Sequence, residues 1–382
     1  MYSLAGYGSM VADRVRVAAY AQALQTAVHD GSIVVDIGTG PGIFAVLACR
    51  LGAKRVYAIE PSHVIQVARE VAAANNYADR IEFIQEISTR VTLPERADVI
   101  VSDLRGVLPF FHKSIPDLID ARHRFLNIGG ELIPRRDVLW VAIVEAPDLY
   151  HRFVDCWKDN LLKQDLSAAR RHAVNDPQRA WKESSQLLTE PQSWVELDYM
   201  TVESPDASGH FCGKAQRPGL GHGLLIWFDT TLTENIGFSN GPGAPESIYG
   251  ALFFPWSEPV ELNLGQSVVV DLQAKLIGDD YLWCWNTKIH SVDDAEKVCT
   301  HFEQSQLLGL PLSLSRLHKA GSRHVPQVSE EGRLHLRVFE LIDGQRSLEA
   351  IARQLAGEFP QRFTRWQDAL SYAGQIAQEY SL

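Results

Sequence analysis

Two acidic residues and a glycine-rich turn form the stretch of this sequence best suited to chemistry. Asp36 stands near the end of one apolar run, and Glu60 directly follows a second, Arg55–Ile59. The turn reads Asp36-Ile37-Gly38-Thr39-Gly40-Pro41-Gly42. Its glycines let the backbone turn tightly and come close to a ligand, because no Cβ stands in the way. A carboxylate at Glu60 can accept hydrogen bonds from both hydroxyls of a ribose, so the pattern predicts a nucleoside-binding strand–turn–helix–strand unit.

The spacing of the glycines distinguishes two classes of ligand. Dinucleotide sites have G-x-G-x-x-G, whereas the glycines here alternate, and Asp36 precedes the first by two residues. An acid at that position would repel a pyrophosphate but suits S-adenosylmethionine, which has no phosphate and carries a cationic amino group. The stretch resembles the motif of class I S-adenosylmethionine methyltransferases, and the alternative is a purely structural turn. The predicted cofactor-binding residues here are Asp36, Gly38, Thr39, Gly40, Gly42 and Glu60.

The elements around the turn predict a Rossmann-like α/β domain over residues 1–140. Strands are predicted at Ile81–Ile84 and Ala97–Ser102, with helices at residues 62–75 and 115–126. Residues 127–130, which contain two glycines, are expected to end the second helix. Residues 86–89 are expected beside the adenine, with Ser88 as the contact.

Asp103 follows the fourth strand at its carboxyl end, the edge that faces the ligand crevice in open α/β sheets. The loop after it, residues 105–114, contains His112 and is expected to line the active site. Near the N-terminus, residues 10–28 have helical periodicity, with Asp13 and Arg16 one turn apart. This pair is either a solvated surface pair or part of a cap, in which Arg16 holds the carboxylate of the cofactor.

Length, charge and cysteine content narrow the class of protein. A chain of 382 residues is long enough for two or three domains. The net charge of −11 and the lack of a long basic run disfavour a nucleic-acid substrate. Residues 1–10 do not read as a signal peptide, and no apolar run reaches the ~18 residues of a membrane span. The five cysteines include no C-x-x-C pair, which indicates free thiols in a reducing cytoplasm and no zinc site.

The pattern changes after residue 140. Residues 141–295 are expected to form an antiparallel β-barrel or sandwich, because short alternating strands are separated by turn residues. Helical, polar segments at residues 148–162 and 166–181 interrupt it. Residues 296–382 are expected to be a helical C-terminal domain with a winged-helix-like order of elements.

Residues 1 to about 290 resemble the protein arginine methyltransferase family. The matching segments are Met10-x-x-Asp13-x-x-Arg16-x-x-x-Tyr20, the glycine turn, the strand ending at Glu60, Asp98–Asp103 and Phe125–Pro134. The resemblance implies that Arg16 holds the cofactor carboxylate and that Glu60 holds the ribose. It also implies a homodimer, formed through a helical arm at about residues 148–190.

The acceptor side departs from that family. The family clamps the substrate guanidinium with two glutamates, and the matching residues here are Asp103 and His112. The family's Thr-His-Trp loop is replaced by Glu246-Ser247-Ile248-Tyr249. Arginine is permanently charged, so one carboxylate binds it less well than two. A neutral imidazole is a good general base, unless His112 only faces water. These departures predict methyl transfer to a non-arginine nitrogen or oxygen, with arginine methylation and a non-catalytic binding module as alternatives.

The C-terminal stretch around Leu336–Ala352 resembles the PqqD-type domains that bind leader peptides of ribosomally made natural products. The alternative is a helical appendage. The resemblance implies that the acceptor is a peptide or a small natural-product precursor.

Overall fold

The computed structural model describes residues 3–158, 161–180, 186–294 and 296–381. The chain divides into two compact units, Met1–Pro311 and Leu312–Leu382. Trp181, which ends one of the predicted helices, and Ala295, at the predicted domain boundary, lie outside the described residues.

The first unit begins with a five-stranded parallel sheet, and four of its strands are those that the sequence predicts. Its strands lie in the order β3-β2-β1-β4-β5. Their bounds are β1 (Ile33–Ile37), β2 (Arg55–Ile59), β3 (Ile81–Ile84), β4 (Ala97–Ser102) and β5 (Leu126–Ile133). Strand β1 is buried along its whole length, because helices cover both faces of such a sheet. The carboxyl ends of β1, β2 and β4 therefore bring Asp36, Glu60 and Asp103 to one edge.

The helices around this sheet are α1 (Leu4–Ala12), α2 (Arg14–Ala27), α3 (Ile43–Arg50), α4 (Ile65–Ala74) and α5 (Ser114–Phe125). The single helix predicted over residues 10–28 is wrong. The chain breaks at Asp13, whose carboxylate accepts a hydrogen bond from the Arg16 backbone N–H at 3.0 Å and so caps α2. None of the helices in the described ranges is long and apolar enough to cross a membrane.

The predicted glycine stop at residues 127–130 is also wrong, because these residues belong to β5. The register between β4 and β5 shifts between Ala97 and Val99, and this irregularity accommodates the extra residues of β5. Gly129 has a φ of +79°, which a residue with a Cβ rarely adopts.

Two antiparallel sheets follow. One contains β6 (Arg136–Glu145), β7 (Gln178–Ala180), β8 (Gln186–Leu187), β9 (Gln192–Asp198), β11 (Gly219–Thr233), β12 (Ile236–Ser239) and β13 (Ala251–Leu262). The other has the order β10 (Ala207–Lys214), β14 (Ser267–Ile277), β15 (Asp280–His290) and β16 (Val298–Ser305). Ile100, Phe254 and Trp285, one from each sheet, belong to the same cluster of buried side chains.

The predicted helical segments after residue 140 are shorter than expected. Within the described ranges α6 (Pro147–Phe153), a short 3-10 helix (Asp155–Trp157) and α7 (Ser167–Ala173) form there, and Gln178–Ala180 pairs with β13 as strand β7. The predicted domain boundary at residues 295/296 also moves, because β16 pairs with β15 and α8 (Gln306–Gly309) follows it. Pairing with an existing sheet edge outweighs the local helical propensity of these residues.

The second unit contains α9 (Leu314–Ala320), α10 (Glu330–Leu341), α11 (Leu348–Glu358) and α12 (Trp366–Tyr380). Its core consists of apolar residues from the last three helices, including Val338, Leu355 and Ala373. Ser347 caps α11, since its hydroxyl accepts a hydrogen bond from the Ala350 N–H. Residues 312–381 contain no strand, so the described unit has no wing. The PqqD-like assignment stays a prediction.

Candidate cofactor and acceptor site

The glycine turn is locked to the neighbouring strand. Gly38, Gly40 and Gly42 all have positive φ values, of +71°, +53° and +82°. The backbone N–H groups of Gly38 and Thr39 donate to the Ile59 carbonyl at 2.9 and 3.1 Å. A Cβ on Gly42 would lie 2.9 Å from the Cβ of Ala68, so the turn and α4 can pack this closely only with glycine there.

The two predicted cofactor acids have different partners. Asp36 is buried and accepts a hydrogen bond from the Thr39 hydroxyl at 2.6 Å. Burial raises the pKa of Asp36 to about 7. Glu60 accepts from the Gly40 N–H at 3.1 Å and from the Ser62 N–H at 2.9 Å, one at each oxygen. These backbone bonds orient the Glu60 carboxylate and leave lone pairs on both oxygens.

Helix α1 covers the turn. A Cβ on Gly40 would lie 2.9 Å from the ring of Tyr7, which shows how closely this helix approaches the glycines. Met10 and Val11 line a cavity beside the glycine turn. The second oxygen of Asp13 accepts from the Ile248 N–H at 2.8 Å, so the start of α2 is also tied to the loop before β13. This arrangement favours the cap over the solvated surface pair.

A cavity of about 400 Å³ lies between these parts, within the usual size range of ligand sites. Of the predicted site residues, those that line it are Arg16, Asp36, Gly38, Thr39, Gly40, Glu60, Asp103 and His112. Gly42 and Ser88 stand outside the lining. Ser88 is buried, and its carbonyl accepts from Arg124 Nη2 at 2.8 Å, while its contact with the adenine stays a prediction.

The polar groups of the cavity fit S-adenosylmethionine. Asp36 and Glu60 provide carboxylates for an amino group and a ribose. Arg16 donates hydrogen bonds from Nε to Asp103 and from Nη1 to the Met10 carbonyl. In the described chain its Nη2 has no hydrogen-bond partner. Ser62 Oγ is buried in the lining and has no partner within the described residues. A cofactor with a carboxylate and further polar groups would satisfy these atoms.

Asp103 lies in a network of charges rather than at an open position. Its Oδ2 accepts from Arg16 Nε and, at 2.6 Å, from the Tyr249 hydroxyl, while its Oδ1 accepts from Arg105 Nε at 3.3 Å. Burial alone would raise the pKa of Asp103, but Arg16 and Arg105 hold it below its usual range. Tyr249 belongs to the stretch that replaces the Thr-His-Trp loop, so this stretch does reach the site.

Sequence reasoning missed Arg105, Asp137 and Asp117. Arg105 is buried and donates to Asp137 Oδ1 at 2.9 Å. Asp137 is a fully buried acid at the start of an apolar strand, a pattern that could have indicated a buried ion pair. Asp117 lines the cavity from the first turn of α5, and burial raises its pKa to about 6.

His112 lies at the mouth of the cavity. Its side chain is 61% exposed, and its Nδ1 is 3.7 Å from Asp280 Oδ2. Its backbone N–H donates to Asp280 Oδ1 at 3.2 Å, and its φ of +45° is unusual for a residue with a Cβ. The turn between β14 and β15 therefore holds this residue. In the described ranges, no group of three or more His, Cys, Asp or Glu residues could hold a metal ion.

Comparisons with known proteins agree with this architecture. Residues 19–133 match the family described as ribosomal protein L11 methyltransferase, and residues 135–277 match the arginine methyltransferase oligomerization subdomain. Protein arginine N-methyltransferase 1 of Schizosaccharomyces pombe is 30% identical over 241 residues, which are 61% of this chain and 71% of the relative. The chain belongs to the protein arginine methyltransferase family.

Other relatives show how much of the family's length is shared. The probable protein arginine N-methyltransferase 6 of Arabidopsis thaliana is 31% identical over 58% of this chain, and the chain spans about half of that relative (52%). Among solved structures, the PRMT1 enzyme-prozyme complex of Trypanosoma brucei has a TM-score of 0.70 at 21% identity. The match covers 78% of this chain and 96% of that one. This likeness confirms the predicted Rossmann-like domain followed by an antiparallel β domain.

The curated relatives bear the name arginine N-methyltransferase, and such enzymes take the methyl group from S-adenosylmethionine. The glycine turn, Asp36 and Glu60 are the parts of this chain suited to holding that cofactor. The residues on the acceptor side, Asp103, Arg105 and His112, do not form the two-carboxylate clamp that the resemblance to the family implies. The identity of the acceptor therefore does not follow from family membership alone.

Proposed function

We propose that this chain transfers the methyl group of S-adenosylmethionine to a nitrogen or oxygen atom of a peptide or small natural-product precursor. The observation that carries the proposal is one cavity lined by Asp36, Gly40, Glu60, Arg16 and Asp103. Arg16, Asp36 and Glu60 would hold the cofactor, which supplies an activated methyl group. Asp103 and the loop to His112 would face the acceptor. Most of the acceleration comes from alignment of the two reactants.

Arginine is the first acceptor to test. The S. pombe, Arabidopsis and other curated relatives bear the name protein arginine N-methyltransferase, and 30% identity over 71% of the S. pombe protein supports a shared reaction. Asp103 at the carboxyl edge of β4 would then contact the substrate guanidinium.

A second acceptor class, a neutral nitrogen or oxygen, is favoured by the geometry of Asp103. Its two oxygens are already paired with Arg16, Arg105 and Tyr249. In this case S-adenosylmethionine would supply its methyl group to the acceptor's lone pair, with the sulfur keeping the electrons of the broken carbon–sulfur bond. The imidazole of His112 would accept the acceptor's proton as general base.

The predicted homodimer remains part of the proposal. It rests on the match of residues 135–277 to the oligomerization subdomain. Sedimentation velocity on the full chain would test it, since a species of 42.6 kDa would contradict a dimer.

Labelling with radioactive S-adenosylmethionine tests the function. The full chain is incubated with an arginine-rich peptide and with a matched peptide that has histidine in place of each arginine. Label on the first peptide supports the arginine reaction, and label only on the second supports a neutral acceptor. Calorimetric titration with S-adenosylmethionine is the control for the cofactor site, and an absence of binding would contradict the proposal.

The His112→Ala variant tests the general base. We expect turnover of a neutral acceptor to fall about 100-fold, because positioned general bases contribute at least that factor. The affinity for S-adenosylmethionine should stay within about twofold, since His112 lies at the mouth of the cavity. His301→Ala, at an exposed histidine on β16, is the matched control. Unchanged turnover in His112→Ala would leave His112 without a catalytic role.

A further inference from the structure

The acceptor end of the cavity contains a closed set of charges. Two carboxylates, Asp103 and Asp137, are paired with two guanidinium groups, Arg16 and Arg105. All four side chains are at most 9% exposed. Because the formal charges cancel within the set, it needs no further ion from outside to be neutral.

Arg105 links the two acids of this set. Its Nε donates to Asp103, and its Nη1 donates to Asp137 at 2.9 Å and to the Thr230 hydroxyl at 2.7 Å. Its Nη2 donates to the Tyr20 hydroxyl at 2.6 Å. A guanidinium has five N–H donors, so four of them are used inside the protein. Asp137 is held in turn by the Tyr199 hydroxyl at 2.7 Å.

Aromatic rings complete the surroundings of Arg105. The distances from its guanidinium carbon to ring centroids are 5.1 Å for Phe228, 5.7 Å for Phe238, 5.7 Å for Tyr249 and 6.0 Å for Tyr20. Rings at these distances attract a cation. Acids and aromatic faces of this kind form a guanidinium cage, and the chain's own arginine fills it.

As a consequence, the carboxylate oxygens of Asp103 have few acceptor positions left for hydrogen bonds from a substrate. A two-point hydrogen bond to an incoming guanidinium needs both carboxylate oxygens. Oδ1 is paired with Arg105, and Oδ2 with Arg16 and Tyr249. A third guanidinium at Asp103 would also bring three cations against two carboxylates in a buried site, where like charges repel most strongly.

We propose that Arg105 determines the acceptor specificity of this enzyme. It is a positioning residue, which fixes Asp103 through a direct ion pair and closes the site to a guanidinium. The acceptor is then a neutral nucleophile, such as an imidazole, amine or hydroxyl in its uncharged form. This inference rests on the proposed methyltransferase activity and names the chemical class of its acceptor.

The test removes Arg105 together with the acid that it balances. Arg105→Met alone would leave Asp137 as an unpaired buried charge and could prevent folding. The double variant Arg105→Met/Asp137→Asn removes one charge of each sign, and the carbonyl of the introduced amide can still accept from Tyr199. Asp103 then keeps Arg16 as its only cationic partner and regains a free oxygen.

We expect the double variant to methylate an arginine-rich peptide with at least about a tenfold higher kcat/KM than the wild type, through a lower KM. Arg105→Lys keeps the positive charge beside Asp103 and should show no gain. The matched control is Arg136→Met/Glu196→Gln, which removes an exposed ion pair on the neighbouring strands β6 and β9 and should leave peptide selectivity unchanged. Calorimetric titration with S-adenosylmethionine verifies the cofactor site of each variant.

The outcomes separate the inference from the proposed function. A gain on the arginine peptide in the double variant alone supports the inference. An equal gain in Arg105→Lys, or no gain while cofactor binding is retained, overturns it. Efficient methylation of arginine by the wild type also overturns it, while supporting the proposed transferase. If the wild type does not bind S-adenosylmethionine, the proposed function fails and the inference fails with it. If the double variant does not fold, the other two proteins are compared on the same peptide. Efficient methylation of arginine by the wild type, or a gain in Arg105→Lys, then overturns the inference.

Discussion

Glu60 and Asp103 follow strands β2 and β4, which flank β1 in the same parallel sheet, yet their carboxylates are satisfied in different ways. Each oxygen of Glu60 accepts from one backbone N–H, of Gly40 or Ser62, and lone pairs remain for ligand hydroxyls. The oxygens of Asp103 accept from two arginine side chains and a tyrosine. The cofactor end of the cavity is therefore prepared for a ligand, whereas the acceptor end is already neutral and closed.

This difference predicts which of the two acids matters for ligand binding and which matters for folding. Backbone donors hold Glu60 in place whatever the ligand does, so its loss should affect binding more than folding. Asp103 compensates two buried cations, and a buried ion pair that loses one partner leaves an uncompensated charge. Loss of Asp103 should therefore affect folding before it affects any chemistry.

Asp103→Asn gives the largest expected effect. Arg16 would lose its carboxylate partner and Arg105 would keep only Asp137, so we expect the free energy of unfolding to fall by about 3–5 kcal/mol. Urea denaturation monitored by tryptophan fluorescence measures this change. Asp79→Asn, at an exposed acid beside the same sheet, has the same change of charge and should alter stability by no more than about 0.5 kcal/mol. Equal stability of the two variants would show that Asp103 does not hold the network together.

Glu60→Gln is expected to act on the cofactor. An amide cannot accept at both positions and removes the charge, and hydrogen bonds to charged groups contribute about 1.5–3 kcal/mol. The dissociation constant for S-adenosylmethionine should therefore rise by about 100-fold, as measured by calorimetry. Glu82→Gln, at an exposed glutamate on β3, is the control. If Glu60→Gln binds as tightly as Glu82→Gln, Glu60 does not contact the cofactor.

The parallel sheet could be predicted from sequence because its central strands β1, β2 and β4 are almost entirely buried. The predicted bounds of β2, β3 and β4 agree with the observed Arg55–Ile59, Ile81–Ile84 and Ala97–Ser102. Continuous apolar runs between glycines and acids leave little freedom in placing such strands. The residues at their carboxyl ends, Asp36, Glu60 and Asp103, consequently also come together as predicted.

The surroundings of Asp103 could not be predicted in the same way. Arg105 pairs with Asp137 and Thr230, which are 32 and 125 residues away along the chain and lie on antiparallel strands. No local pattern specifies such long-range pairing.

The pH dependence of cofactor binding gives the smallest expected effect and tests the other acid of the open end. Burial raises the pKa of Asp36 to about 7, above its unfolded value near 3.8. The unfolded chain thus ionises first, so the contribution of Asp36 to stability without cofactor falls as the pH rises from about 4 to 7. Binding of a cationic amino group needs the carboxylate. Affinity should therefore fall about tenfold for each pH unit below 7.

Calorimetric titrations between pH values of about 5.5 and 7.5 measure this dependence. Two variants show which carboxylate causes it. Asp36→Asn should bind more weakly and lose the pH dependence. Asp117→Asn should retain it, although burial raises the pKa of Asp117 to about 6 and this residue lines the same cavity. If the dependence disappears in Asp117→Asn and persists in Asp36→Asn, the amino group is held from α5. The assignment of the open, ligand-binding end of the cavity to the glycine turn would then be wrong.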